Sequence, residues 1–210
     1  MKKNDLVLYT NPQSRGRIAH WMLEELGLPY DTVWLEFGAA MKAPAYLAIN
    51  PMGKVPALKH GDAVVTETAA ICAYLADRFP EQNLIPPANH PSRAAYFRWL
   101  FFAAGPLEAA VTAKAVGWEV PAGKGGFVGF GSYADTLNAL EAALQHGLYL
   151  CGEQFTAADV YVGSGLGWGM MFGTVEKRPV FETYVKRLYA RPAAIRANEI
   201  NEAHLKQQAV

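Results

Sequence analysis

The chain is 210 residues long and 51% of them are apolar, enough for one large packed domain or two small ones. Its 19 basic and 19 acidic side chains cancel and no block of like charge stands out. This argues against nucleic acid or an anionic membrane as a partner, because both are held by basic patches. The apolar run Leu6–Tyr9 is too short for a secretory leader, and no stretch approaches the ~18 apolar residues of a membrane span, so a soluble cytoplasmic protein is expected. Cys72 and Cys151 form no Cys-x-x-Cys pair and read as packed thiols. The histidines at 20, 60, 90, 146 and 204 stand at no metal-ligand spacing, so no metal is expected.

Residues 5–10 read as a short buried strand, broken by Asn11-Pro12-Gln13-Ser14. From Arg15 to Leu26 the apolar residues Ile18, Ala19, Met22, Leu23 and Leu26 share one helical face, and Gly27 and Pro29 stop the helix. Tyr30 to Phe37 alternates, with Val33, Leu35 and Phe37 on one side, and predicts a strand. Residues 38–53 are irregular. Val55–Lys59 and Ala63–Thr66 flank His60-Gly61-Asp62 as a hairpin, and Glu67–Phe79 has a helical period ended by Pro80. A βαβ half followed by a ββα half predicts an α/β layer of the thioredoxin type over residues 1–80.

Residues 81–91 carry Pro86, Pro87 and Pro91 and read as a linker. Residues 92–210 read as an all-helical domain. Tyr96, Phe97, Leu100 and Phe101 form an aromatic stripe, and Tyr133, Leu137, Leu140 and Leu144 a helical face. Between them Pro121–Gly131 holds five glycines and reads as a loop. A further helix is expected over 180–190, and the segment from about 197 is polar enough to fray.

Two blocks now stand out. Asn50-Pro51-Met52-Gly53-Lys54-Val55-Pro56-Ala57-Leu58 is followed by Glu67-Thr68-Ala69-Ala70-Ile71, and much later by Tyr149-Leu150-Cys151-Gly152-Glu153-Gln154-Phe155-Thr156-Ala157-Ala158-Asp159-Val160. Their order and spacing resemble the glutathione transferase family, the first pair its glutathione-binding core and the last its helical-domain signature. The resemblance covers nearly the whole chain. It implies glutathione as a substrate, attack of its thiol on a small hydrophobic electrophile, and a homodimer. Within the family it points to a bacterial-type, Ser/Asn-dependent enzyme, because no cysteine lies in the segment Tyr9–Arg17.

Each site residue has a plain structural reading beside the one the resemblance implies. Pro56 cannot donate to a strand ladder, and only about 5% of X-Pro bonds are cis. The resemblance implies a cis Val55–Pro56 bond that turns the Val55 backbone outward to pair with the tripeptide like an added strand. Glu67 and Thr68 open a helix, where a threonine caps; the same helix start suits the γ-glutamyl carboxylate at Thr68 and the amine at Glu67. Lys54, and as a second choice Lys42, would meet the glycyl carboxylate, although Lys42 reads equally as a solvated side chain.

The family places its thiolate donor in the segment Tyr9–Arg17. Ser14 at the helix start is the first choice, against a bare N-cap, and Asn11 the second. Tyr9 lies two residues too far from Arg15-Gly16-Arg17 to match the catalytic tyrosine of some classes. Thr156 and Asp159 read as a capping box and nothing more. The glycines at 163, 165, 167 and 169 imply close packing or room for a substrate beside Trp168. Trp118, Phe102 and Met170 or Met171 are candidate walls for an electrophile between the domains. The rival reading is a non-catalytic module that binds hydrophobic ligands or proteins; glutathione-dependent peroxidase or isomerase chemistry would use the same site.

Overall fold

Alternation in the first strand and a 3.6-residue period in the next segment set the architecture. The computed structural model describes residues 5–208. In chain order the elements are β1 (Leu6–Thr10), α1 (Gly16–Leu26), β2 (Asp31–Trp34), the one-turn helices α2 (Ala39–Lys42) and α3 (Pro44–Leu47), β3 (Ala57–His60), β4 (Ala63–Thr66) and α4 (Thr68–Arg78). They continue with α5 (Ser92–Phe102), α6 (Glu108–Val116), α7 (Tyr133–Leu144), α8 (Ala157–Phe172), α9 (Pro179–Tyr189) and α10 (Pro192–Gln208). The chain forms two compact units: the residues up to Gln82 together with those from Ala190 on, and Asn83–Tyr189.

The first unit is a thioredoxin-like layer. Its sheet has the order β2-β1-β3-β4, with β1 and β2 parallel and the other pairs antiparallel. Leu6 and Leu8 point from β1 into a core closed by Ile18, Ala19, Met22, Leu23 and Leu26 of α1, the five residues expected on its buried face. Ile71, Cys72 and Leu75 of α4 are buried as well.

Two expectations are corrected here. The second strand ends at Trp34 rather than Phe37, which is 56% exposed. Its partner β1 leaves the sheet at Asn11, so the last ladder bond is Leu35 N–H to the Thr10 carbonyl at 2.8 Å. The polar C-terminal segment does not fray: α10 runs to Gln208 and packs along α1, so these residues belong with the first unit and not with a helical domain reaching 210.

Beside the buried Ala193, Ala194 and Ala197, polar contacts hold α10 and its approach. Arg17 bonds Glu202 at 2.7 Å and Asn198 at 3.0 Å, Arg196 bonds Glu24 at 3.0 Å, and Arg191 grips both oxygens of Glu25 at 2.7 and 2.8 Å. Beneath them the buried His20 lies 3.3 Å from both Asn201 Oδ1 and Thr32 Oγ1. The His204 ring stacks on Trp34 with centroids 4.0 Å apart.

The second unit is helical. Tyr96, Trp99 and Leu100 of α5 are buried while Phe101 is 73% exposed, so the aromatic stripe is split between core and surface. Between α5 and α6, residues Ala103–Leu107 widen into a π-helical stretch carrying Pro106, which has no N–H to continue an α-helical ladder. On α8 a Cβ at Gly163 would stand 2.2 Å from Leu188 Cδ1, and one at Gly167 would stand 2.2 Å from the Tyr189 hydroxyl. The α8 glycines therefore let α9 approach closely. Among the described residues no helix is long and apolar enough to cross a membrane.

Candidate functional site

The row Tyr9–Ala57–Thr66 runs straight across β1, β3 and β4. Three segments therefore meet at one end of the sheet: Asn11–Arg15 leaving β1, Val55–Pro56 entering β3, and Glu67–Thr68 leaving β4. Adjacent strands lie about 4.8 Å apart, so the span from β1 to β4 is about 10 Å. Three extended residues cover a similar length, about 10 Å.

The middle segment is fixed by side chains. The Val55–Pro56 bond is cis. The Lys54 carbonyl accepts the Tyr46 hydroxyl at 2.6 Å and Asn50 Nδ2 at 2.7 Å, and Asn50 Oδ1 accepts the Met52 N–H at 3.1 Å. Burial pushes the Tyr46 hydroxyl up to about 12, so it stays a donor at neutral pH. Among the described residues the Val55 N–H and C=O take no partner. Lys42 and Lys54 are both exposed, and Lys42 donates to the Met52 carbonyl at 2.8 Å, which makes it a brace of this loop. The roles of Tyr46 and Asn50 were missed from sequence. Asn50 heads the quoted motif, but nothing in the pattern marks Tyr46.

At the β4 end no side chain among the described residues caps α4, an opening that suits an anion at its first N–H groups. Thr68 is its first residue and is 6% exposed, and among the described residues its hydroxyl takes no partner. Glu67 is exposed with φ 67°, ψ 119°. Such a backbone costs on the order of 1–3 kcal/mol at a non-glycine residue and clusters at ligand-binding positions. No sequence signal announces it.

At the β1 end Ser14 and Asn11 are joined. The Ser14 hydroxyl donates to the Asn11 carbonyl at 2.7 Å and accepts the Gly16 N–H at 3.0 Å. The Asn11 carbonyl also accepts the Ser14 N–H at 3.1 Å. The Asn11 side chain is buried, with Nδ2 donating to the Leu35 carbonyl at 2.8 Å and Oδ1 accepting the Gln13 N–H at 2.9 Å. Asn11 thus ties this loop to β2, while Ser14, half-buried, lies nearer the surface at the positive end of α1.

Both cysteines are buried, and burial raises Cys72 to about 12 and Cys151 to about 11, so neither is a thiolate at neutral pH. In the second unit Trp118 is 70% exposed and stands on a cavity wall, Phe102 packs edge-on against Trp99, and Met171 is exposed. Among the described residues no three His, Cys, Asp or Glu side chains gather as metal ligands.

Comparison with known proteins follows the same two regions. Residues 15–78 match the family model described as the glutathione S-transferase N-terminal domain, and residues 131–192 that of the C-terminal domain. A glutathione S-transferase of Silene vulgaris is 32% identical over 196 residues, 81% of this chain and 86% of the relative. Glutathione S-transferase GstA of Escherichia coli O157:H7 is 29% identical, over 89% of this chain and 94% of its own length. Among solved structures, a glutathione transferase from Methylococcus capsulatus superposes with a TM-score of 0.78 at 29% identity, covering 94% of this chain and 99% of that one. A sphingomonad glutathione S-transferase complexed with glutathione gives 0.75 at 27% identity, covering 93% and 98%.

Proposed function

The chain belongs to the glutathione S-transferase family and is a glutathione transferase, and from that premise we propose how its own residues hold and activate the tripeptide. The observation that carries the reading is the single sheet end at which Ser14, Val55 and Thr68 are presented over about 10 Å. The γ-glutamyl carboxylate sits on the uncapped N-terminus of α4 and accepts the Thr68 hydroxyl, with the amine facing Glu67. The cysteinyl backbone pairs with the free N–H and C=O of Val55, which Pro56 follows. The glycyl carboxylate meets Lys54, with Lys42 holding the loop beside it.

The chemistry requires a thiolate. A free thiol of pKa ~8.5 is only about 3% ionised at pH 7, and lowering it by about 2 units takes about 2.7 kcal/mol of differential stabilisation. Ser14 supplies part of this as a hydrogen-bond donor and the N-terminus of α1 supplies part as a dipole. To donate, Ser14 releases the Asn11 carbonyl, which keeps the Ser14 N–H as its partner. Asn11 is the supporting residue: its amide holds the loop to β2 and has one further N–H. With no cysteine between Tyr9 and Arg17 and both cysteines held as buried thiols, the enzyme is of the Ser/Asn-dependent kind.

The thiolate then attacks a small hydrophobic electrophile. We place the protein in the cytoplasm as a homodimer that uses α4 and the exposed Phe97 and Phe101 of α5 as contact surface. The test is a calorimetric titration of glutathione into wild type and Thr68→Ala. Weaker binding in the variant is expected, and equal affinity removes this site.

A further inference from the structure

Thr10 is the last residue of β1 and follows Leu6 and Leu8 onto the face that α1 covers. Alternation calls for a third apolar residue there. A hydroxyl stands instead, fully buried, and among the described residues Thr10 Oγ1 has no hydrogen-bond partner. The Thr10 carbonyl already holds the end of β2, accepting the Leu35 N–H at 2.8 Å, so the strand asks nothing of this side chain. A buried hydroxyl without a partner destabilises a fold, and valine has the same shape without that cost.

The hydroxyl is aimed at the first turn of α1. A Cβ at Gly16 would stand 1.8 Å from Thr10 Oγ1 and 3.0 Å from Ser14 Oγ. The two hydroxyl oxygens therefore lie within 4.8 Å of each other, the sum of those two distances. Any side chain at position 16 would collide with the threonine, although glycine is a poor helix former. Gly16 and Thr10 thus belong together: the missing Cβ is what lets the orphan hydroxyl lie beside Ser14.

Ser14 Oγ carries one proton and two lone pairs. The proton rests on the Asn11 carbonyl at 2.7 Å, and one lone pair accepts the Gly16 N–H at 3.0 Å. The second lone pair can accept a further donor. We infer that Thr10 is a positioning residue for thiolate formation: its buried hydroxyl donates to Ser14 Oγ when the Ser14 proton turns from the Asn11 carbonyl to the sulfur of glutathione. Neither hydroxyl gives up its proton. Hydrogen bonds among catalytic groups are often long without substrate and tighten in the complex. A donor behind Ser14 polarises its O–H, which strengthens the bond to the thiolate by about 10–30%. This role rests on the proposed donation by Ser14 and adds the residue that supports it from within the core.

The test compares Thr10→Val, Thr10→Ser and Ser14→Ala as full chains, with the absorbance of the bound thiolate followed against pH. Thr10→Val should raise the pKa of the bound thiol by about 0.2–0.6, which is 10–30% of the about 2 that activation takes, and leave glutathione affinity unchanged. Thr10→Ser should restore the wild-type titration. Without glutathione, Thr10→Val should unfold at the same urea concentration as wild type or a higher one, because it removes an unpartnered hydroxyl. A threonine that only holds the fold would do the reverse, lowering the urea midpoint and leaving the titration where it was. That result overturns the inference, as does a Thr10→Val chain that fails to fold or a Thr10→Ser chain that titrates like the valine variant. A shift with Ser14→Ala and none with Thr10→Val removes Thr10 alone and leaves the Ser14 donor standing. No shift with Ser14→Ala removes the donor itself and the role of Thr10 with it.

Discussion

Replacing Asp159 with alanine should be the most damaging single change in the second unit. Its side chain is fully buried and accepts four hydrogen bonds: Leu150 N–H at 2.9 Å, Thr156 N–H at 2.8 Å, Thr156 Oγ1 at 2.9 Å and the Tyr184 hydroxyl at 2.8 Å. Burial pushes the carboxyl up, and the four donors oppose that. In Asp159→Ala the two hydroxyls can rotate towards other acceptors, but the Leu150 and Thr156 N–H groups are fixed by the backbone and stay buried. An unsatisfied buried donor costs about 1–3 kcal/mol, so the pair costs about 2–6 kcal/mol. Asp159→Asn keeps one acceptor oxygen but turns an NH₂ towards donors, and should fall between wild type and alanine. Thr156→Ala loses one hydroxyl and keeps both N–H bonds, so about 1 kcal/mol is expected. Urea unfolding followed by far-ultraviolet circular dichroism and tryptophan fluorescence measures all three. A loss below about 1 kcal/mol for Asp159→Ala would refute the reasoning, because two rigid donors cannot both lose their acceptor so cheaply.

On the proposed reading, Thr68→Ala should weaken glutathione binding by about 1–3 kcal/mol in a calorimetric titration, since among the described residues the hydroxyl takes no partner. Ser14→Ala should raise the pKa of the bound thiol, read as thiolate absorbance against pH, and leave glutathione affinity largely intact; a shift with Asn11→Ala and none with Ser14→Ala names the wrong donor. His20 is lowered by burial to about 4, with Asn201 and Glu24 favouring its charged form and Arg17 and His204 opposing it. The unfolded state binds the proton first, so stability should fall as pH drops from about 6.5 towards 4, by on the order of 2 kcal/mol at pH 5. His20→Gln should flatten that slope in urea midpoints taken across the range. Sedimentation at micromolar concentration should return twice the chain mass, and a value of 22.9 kDa would contradict the dimer.

The first unit was legible wherever the apolar period reports burial. All five residues expected on the inner face of α1 are buried, and β3 and β4 pair as a hairpin about Gly61. Hydropathy failed where contacts are polar. The segment after Ala190 buries only alanines as apolar contacts, yet arginines and a buried asparagine hold it to α1, and His204 stacks on Trp34 of β2. The second strand was overextended because alternation in Val33, Leu35 and Phe37 cannot reveal that β1 stops offering a ladder at Thr10. In the candidate site, the resemblance points to residues by type, but Tyr46 acts through one hydroxyl on the Lys54 carbonyl from eight residues away. The positive φ of Glu67 leaves no mark in composition, since glutamate is not a residue that favours it.

Ser14 shows why sequence offered two readings that exclude each other while the fold does not. A serine at a helix start was either a cap or a catalytic donor. The cap uses an oxygen lone pair, which accepts the Gly16 N–H at 3.0 Å. Donation uses the single hydroxyl proton, which now rests on the Asn11 carbonyl. These are different parts of one group, and a hydroxyl carries one donor and two acceptor sites. Capping therefore prepares the proposed role: it fixes Oγ at the positive end of α1, so that bringing a thiolate to the proton needs a rotation about the C–O bond and no movement of the backbone. The Asn11 carbonyl that gives up the proton is not orphaned, because the Ser14 N–H stays on it at 3.1 Å. On this account Ser14→Ala loses both functions together, about 1 kcal/mol at the start of α1 and the shift of the bound thiol. A cysteine at the same position would keep a donor but accept the Gly16 N–H poorly, since sulfur is the weaker acceptor. Ser14→Cys should thus separate the two, with the helix start loosened and the thiol chemistry redirected towards exchange.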